Sequence, residues 1–158
     1  MKTLKKRKNQ RKTDYKRRLL LLKSGKPRIV ARKTNKYITL SYVESKEAKD
    51  KIIHATTSKD LLKHGWDKEK SGSLKSITAS YLTGLLLANK IKGKEAIFDT
   101  GLNRNVKKSR IYAALKGLVD GGVKINCDKK IFPEEDRIKG KNLKNKINFE
   151  KIKQKITK

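Results

Sequence analysis

Apolar residues along this chain change period several times, and each change marks an expected element. Tyr15, Leu19 and Leu22 stand at i, i+4 and i+7, the stripe of a short helix that Thr13 or Asp14 can cap. Ser24-Gly25-Lys26-Pro27 ends it, since glycine serves as a C-cap and proline cannot continue a helix. Residues 28–33 read as a strand with Ile29, Val30 and Ala31 buried. Over 36–43, Tyr37, Thr39, Ser41 and Val43 alternate with Ile38, Leu40 and Tyr42, and Thr34-Asn35 signals the hairpin turn before them. A third strand fits 51–56, and a short helical piece plus loop fits 57–72.

The period then becomes helical. Leu74, Ile77, Tyr81, Leu85 and Ala88 mark a helix over 74–90 capped by Ser73. Residues 95–100, with Ala96, Ile97 and Phe98, form a short buried strand. It is expected to lie parallel to an earlier strand, because a long helix is the crossover that parallel pairing needs. Ser109 caps a second helix with Ile111, Ala114, Leu115 and Leu118 inside, and Gly121-Gly122 stops it. After Pro133, Glu134-Glu135-Asp136 suit the first turn of one more short helix. This order predicts an α/β fold in a single domain, a mixed sheet packed with helices.

Charge changes the picture at the ends. The 158 residues hold 44 Lys and Arg against 15 Asp and Glu, a net charge of +29. Residues 1–28 carry +12 and residues 137–158 carry +8. The chain therefore divides into a basic arm at 1–12, expected to be extended or disordered until bound, a folded domain at 13–140 and a basic tail at 141–158. Such a charge points to a polyanion, because neutralising phosphates releases counterions and rewards many cations. A nuclear address, a membrane surface or a solvated tail are the other readings of basic ends. The apolar residues of the tail, Leu143, Ile147, Phe149, Ile152 and Ile156, read as scattered. Six of the nine arginines fall in the first 32 residues, where their planar forks suit phosphate and base recognition.

Several chemistries find no support. No apolar run approaches the length of a membrane span, and no secretory leader is apparent. One cysteine, Cys127, forbids an internal disulfide and fits a reducing, intracellular compartment. With His54 and His64 it makes a poor metal site, and no nucleotide-cradling glycine loop is present, so neither metal nor cofactor is expected. A sheet nuclease is the serious enzyme alternative, needing several acids converging on a metal pair. Only Asp99, at a strand end, is well placed for that, and it reads better as a turn carboxylate bonding the amides near Gly101. Glu44, Glu47 and Asp50 are expected in a connecting loop. A free RNA chaperone or DNA-compacting protein is the third class.

Residues 99–110 place Arg104, Lys107, Lys108 and Arg110 around a helix start that already carries a positive dipole. Cations there oppose the dipole, so phosphate binding explains them better than local stability does. Tyr15 and Tyr37 are candidates for stacking on exposed bases or for core roles.

Taken in order, Thr13-Asp14-Tyr15, Ser24-Gly25-Lys26-Pro27-Arg28, Arg32-Lys33-Thr34-Asn35, His64-Gly65-Trp66, Tyr81-Leu82-Thr83-Gly84, Asp99-Thr100-Gly101-Leu102, Ser109-Arg110-Ile111-Tyr112, Asp120-Gly121-Gly122 and Arg137-Ile138-Lys139-Gly140 form a specific series. With it the chain resembles the L-eighteen family of large-subunit ribosomal proteins, archaeal type, from about Arg11 to Gly140. The resemblance implies an RNase-H-like mixed sheet without catalysis, binding to 5S rRNA in the central protuberance, contacts with the large-subunit rRNA and neighbouring proteins, and no homo-oligomer. The residues it and the charge pattern nominate for RNA are Lys5, Lys6, Arg7, Lys8, Arg11 and Lys12 of the arm, and Tyr15, Lys16, Arg17 and Arg18 of the first helix. Arg28, Arg32, Lys33, Asn35, Lys36 and Tyr37 follow from the first hairpin, and Arg104, Lys107, Lys108, Ser109 and Arg110 from the basic loop. Asn126-Cys127 departs from the family's Pro-His, and the tail after Gly140 lies outside the resemblance.

Overall fold

Strand β1 (Arg28–Lys33) is the hub of a four-stranded sheet in the computed structural model, which describes residues 6–10, 12–47, 49–142 and 147–157. On one side β1 pairs antiparallel with β2 (Ile38–Lys46), which pairs with β3 (Lys49–Thr57). On the other it pairs with β4 (Ile97–Asp99), and that pair is parallel, as the long crossover requires. The order is β3-β2-β1-β4. Ile29, Ala31, Leu40 and Tyr42 share the sheet face that meets the helices, and all four are buried.

The second hairpin is longer than the apolar pattern indicated. β2 and β3 turn at Glu47, which takes a left-handed φ of 51°, so Glu44 and Asp50 belong to strands and not to a loop. β3 is a sheet edge, where a ladder can run through polar residues because one side faces water.

Residues Lys6–Asn9 make one helical turn, α1, where an extended segment was expected, and helix α2 (Tyr15–Lys23) follows. Helix α3 begins at Ile77 (Ile77–Lys90), and its cap is Ser76, whose hydroxyl accepts from the Ala79 amide at 3.2 Å. The expected cap, Ser73, closes a 3₁₀ turn over Lys68–Ser73, and Leu74 is buried ahead of the helix. Every residue from Thr78 to Ala88 is buried, so α3 is a central helix wrapped on all sides and not a one-stripe surface helix. Helix α4 (Arg110–Asp120) packs on it with the expected inner face. Two glycines let the backbones touch. A Cβ at Gly84 would fall 2.2 Å from the Ala114 carbonyl oxygen, and one at Gly117 would fall 2.1 Å from that of Tyr81. Neither backbone oxygen can move aside cheaply, so no larger residue fits this crossing.

The C-terminal end also differs from a reading by charge alone. Helix α5 (Glu135–Ile138) forms at the acidic triplet. In the basic tail, Phe149, Ile152 and Ile156 are spaced i, i+3 and i+7 and line one side of helix α6 (Phe149–Thr157). All three are buried in the cluster around Leu61, Trp66, Tyr81 and Leu82. The Phe149 and Tyr81 rings stand 5.8 Å apart. Leu143 lies outside the described residues.

Candidate nucleic-acid interface

Helix α2 starts where Asp14 caps it, accepting from the Arg17 amide at 3.1 Å. None of its residues is buried, and Leu19, expected in an apolar stripe, is 55 % exposed. Polar bonds hold it instead. The Arg17 guanidinium donates to the Thr100 hydroxyl at 2.8 Å and to the Gly101 carbonyl at 3.0 Å, and Arg18 pairs with Asp50 at 2.8 Å.

Beneath α2, on the sheet face opposite the core, lies a buried ion cluster. Arg28 is 3 % exposed and donates to Asp50 at 2.8 Å, to Ser45 at 3.1 Å and to Asp99 at 3.5 Å. Burial alone would raise the Asp50 carboxyl, but hydrogen bonds from Ser45 and Arg18 and the charges of Arg28 and Arg18 hold it below its usual range. Asp99 also accepts from the Gly101 amide at 2.8 Å, the turn role expected of it. Asp50 and Asp99 thus converge across the sheet, which their separation in sequence concealed, and a guanidinium fills the space between them. Among the described residues no three His, Cys, Asp or Glu side chains group to hold a metal.

Two grooves open beside this cluster and meet at Lys33 and Asn103. The first, about 530 Å³, runs between Arg7, Lys12, Arg17, Arg18 and Arg32 on one hand and the turn 99–103 on the other. The second, about 730 Å³, lies among Arg104, Lys107, Lys108, Ser109, Arg110 and Arg137, with Ser76, Ile77 and Thr78 as its floor. The loop cations are exposed, and Lys108, in a left-handed turn with φ 58°, pairs with Glu134 at 2.7 Å on the surface. That pairing, through a hydrogen bond and the lysine's charge, keeps the Glu134 carboxyl low.

The fold therefore brings the arm, α2, the end of β1 and the basic loop to one side of the domain. Not every nominated residue joins them. Arg28 lines the first groove but is bound to Asp50 and Asp99, which gives it a positioning role under the surface. Lys6, Lys8 and Lys16 are exposed outside both grooves, as are Asn35 and Lys36 on the first hairpin turn. Tyr15 is half-buried, and Tyr37 is half-buried against the core cluster, its amide donating to the Thr34 hydroxyl at 2.9 Å. Lys5 and Arg11 lie outside the described residues. The charge pattern passed over Ser76, Thr78 and Asn103, which are neutral. The Ser76-Ile77 step was the available signal, since Ser76 before Ile77 is as good a cap by local rule as Ser73 before Leu74.

Comparison with known proteins agrees with this architecture. The family described as "Ribosomal large subunit proteins 60S L5, and 50S L18" matches residues 1–97. A protein of Korarchaeum cryptofilum named large ribosomal subunit protein uL18 is 44 % identical over 140 residues, covering 87 % of this chain and 70 % of its own length. Its namesake in Methanoregula boonei is 41 % identical over 140 residues, covering 87 % and 78 %. That of Methanococcus maripaludis is 42 % identical over 142 residues, covering 88 % and 72 %. These relatives are named as ribosomal components and not as enzymes, and on their evidence the chain belongs to the uL18 family of large-subunit ribosomal proteins.

Proposed function

We propose that this protein binds 5S rRNA and anchors it in the central protuberance of the large subunit of the cytoplasmic ribosome, touching the large rRNA and neighbouring proteins around it. The observation that carries the reading is the pair of joined grooves, lined by cations from the arm, α2, β1 and the loop before α4. A groove of this kind follows a phosphate backbone, and Lys33, at the end of β1 where the two grooves meet, offers an ammonium where the backbone would bend. Residues 1–12 act as the arm, with Lys5 and Arg11 adding phosphate contacts. Arg17 and Arg18 have a double duty, fixing α2 while presenting charge beside it.

The test is to purify the protein with the nucleic acid it holds in its own cells and sequence that RNA. One dominant small ribosomal RNA is the expected result. A broad mixture of RNAs without enrichment of 5S rRNA would contradict the proposal and favour a non-specific basic chaperone.

A further inference from the structure

Helices α3 and α4 start side by side. Ser76, Ile77 and Thr78 of the first and Ser109, Arg110 and Ile111 of the second line the same groove. The first-turn amides of any helix lack an intrahelical acceptor, so two sets of donors and two positive dipole ends face one space. Among the described residues the groove is lined by six cations, of which Lys108 is paired with Glu134, and by no carboxylate. At α4 the cap itself is incomplete, because the Ser109 side chain makes no capping bond.

A second observation, independent of the helix ends, concerns hydroxyls. Thr78 is 1 % exposed, and its oxygen is buried without a hydrogen-bond partner, as is that of Ser109. Other hydroxyls on α3 are satisfied: Ser80 donates to the Ser76 carbonyl at 2.6 Å and Thr83 to the Ala79 carbonyl at 2.7 Å. Buried hydroxyls are normally paired. The Thr56 hydroxyl on β3 is also without a partner but lies away from the groove, whereas Thr78 and Ser109 both line it. Among its cations the partner that suits a donating hydroxyl is an anionic acceptor. A core-filling role for Thr78 would be served by valine, which has the same shape.

We propose that this groove seats a single phosphate group, held by the paired N-termini of α3 and α4 and by the hydroxyls of Thr78 and Ser109. The group is a backbone phosphate of the bound RNA, so the inference rests on the reading above for its source but not for its chemistry. Arg104, Arg110 and Arg137 are the flanking charges. Helix N-termini bind phosphate through amides and dipole together, and two of them meeting make the site specific where surface lysines alone would not be.

The site is tested in the full chain by following backbone amide resonances while inorganic phosphate replaces chloride at constant ionic strength. Saturable shifts should concentrate at Ile77, Thr78, Arg110 and Ile111. Thr78→Val and, separately, Ser109→Ala should abolish or weaken them without lowering Tm, and Thr78→Ser should restore them. Each hydroxyl deletion should also weaken binding to 5S rRNA about tenfold, as loss of one hydrogen bond to a charged group does. Shifts spread evenly over the basic surface, or unchanged RNA affinity in both variants, would overturn the proposal. If phosphate saturates these amides but 5S rRNA is not preferred over other RNA, the ribosomal RNA reading fails and the phosphate site stands.

Discussion

Helices α2 and α6 are each nine residues long, each rich in basic residues and each near an end of the chain, yet α2 buries none of its residues and α6 buries three. Helix α2 holds the larger number of apolar residues, with four consecutive leucines, Leu19 to Leu22. Tyr15, Leu19 and Leu22 have the spacing of a stripe there too, yet Leu19 stays 55 % exposed, and arginine bonds to Thr100, Gly101 and Asp50 fix the helix instead. Helix α6 has only Phe149, Ile152 and Ile156, but all on one side, and they enter the core. Both helices carry a helical apolar spacing, so what that side meets in the fold decides whether a basic terminal segment becomes part of the domain. Helix α6 meets the cluster around Leu61, Trp66 and Tyr81, and α2 meets no such cluster among the described residues. This leaves α2 as a polar-mounted element on the basic side, while α6 is fastened through its apolar face.

The largest effect should come from removing the cation under α2. Arg28→Ala leaves Asp50 and Asp99 facing each other across an empty site, and thermal or denaturant unfolding should show a loss of about 3–5 kcal/mol. A change smaller than about 1 kcal/mol, the scale of a surface pair, would mean the cluster is not what mounts α2. Next, Phe149→Ala should cost about 3 kcal/mol, low in the range for such truncations because a terminal helix can shift to fill the cavity. Its counterpart Leu19→Ala should stay within about 0.5 kcal/mol, since the side chain is exposed. Equal losses for Phe149 and Leu19 would erase the contrast between the helices.

Acid separates the two mountings by a different route. The folded-state carboxyl of Asp50 sits below its ordinary value of 3.8. Its contribution is therefore complete above that value and is lost as pH falls through the lower folded value. The α2 mounting should loosen in that acid range while the apolar mounting of α6 does not respond. Amide exchange measured by helix should show α2 opening first, and Asp50→Asn should remove the pH dependence from α2. Simultaneous opening of both helices would contradict this.

Most of the fold was readable in the sequence because its strongest signals are local. The alternation at 37–43 and the stripe at Ile111, Ala114, Leu115 and Leu118 each needed only a few neighbouring residues to interpret. What stayed concealed depends on distance. Asp50 and Asp99 are joined by Arg28 across the sheet, and no spacing in the chain indicates that. The burial of α3 on every side hid its boundaries, because a wholly buried helix loses the one-sided stripe that marks a start. The basic side was legible through its cations, whose charge accumulates in sequence as it does in space. Its neutral floor at Ser76 and Thr78 was not, since nothing in a serine or threonine distinguishes a helix cap from a ligand until the second helix is set beside it.

The proposed function assigns strength of binding to the arm and choice of RNA to the folded face. The decisive measurement is affinity for 5S rRNA and for an unrelated RNA of equal length at several salt concentrations, with and without residues 1–12. That segment holds seven cations. Its removal should cut the slope of log affinity against log salt by several units, at about 0.7–0.9 for each phosphate no longer neutralised, and leave the preference for 5S rRNA in place. A truncation that erased the preference while leaving the salt slope unchanged would contradict this division.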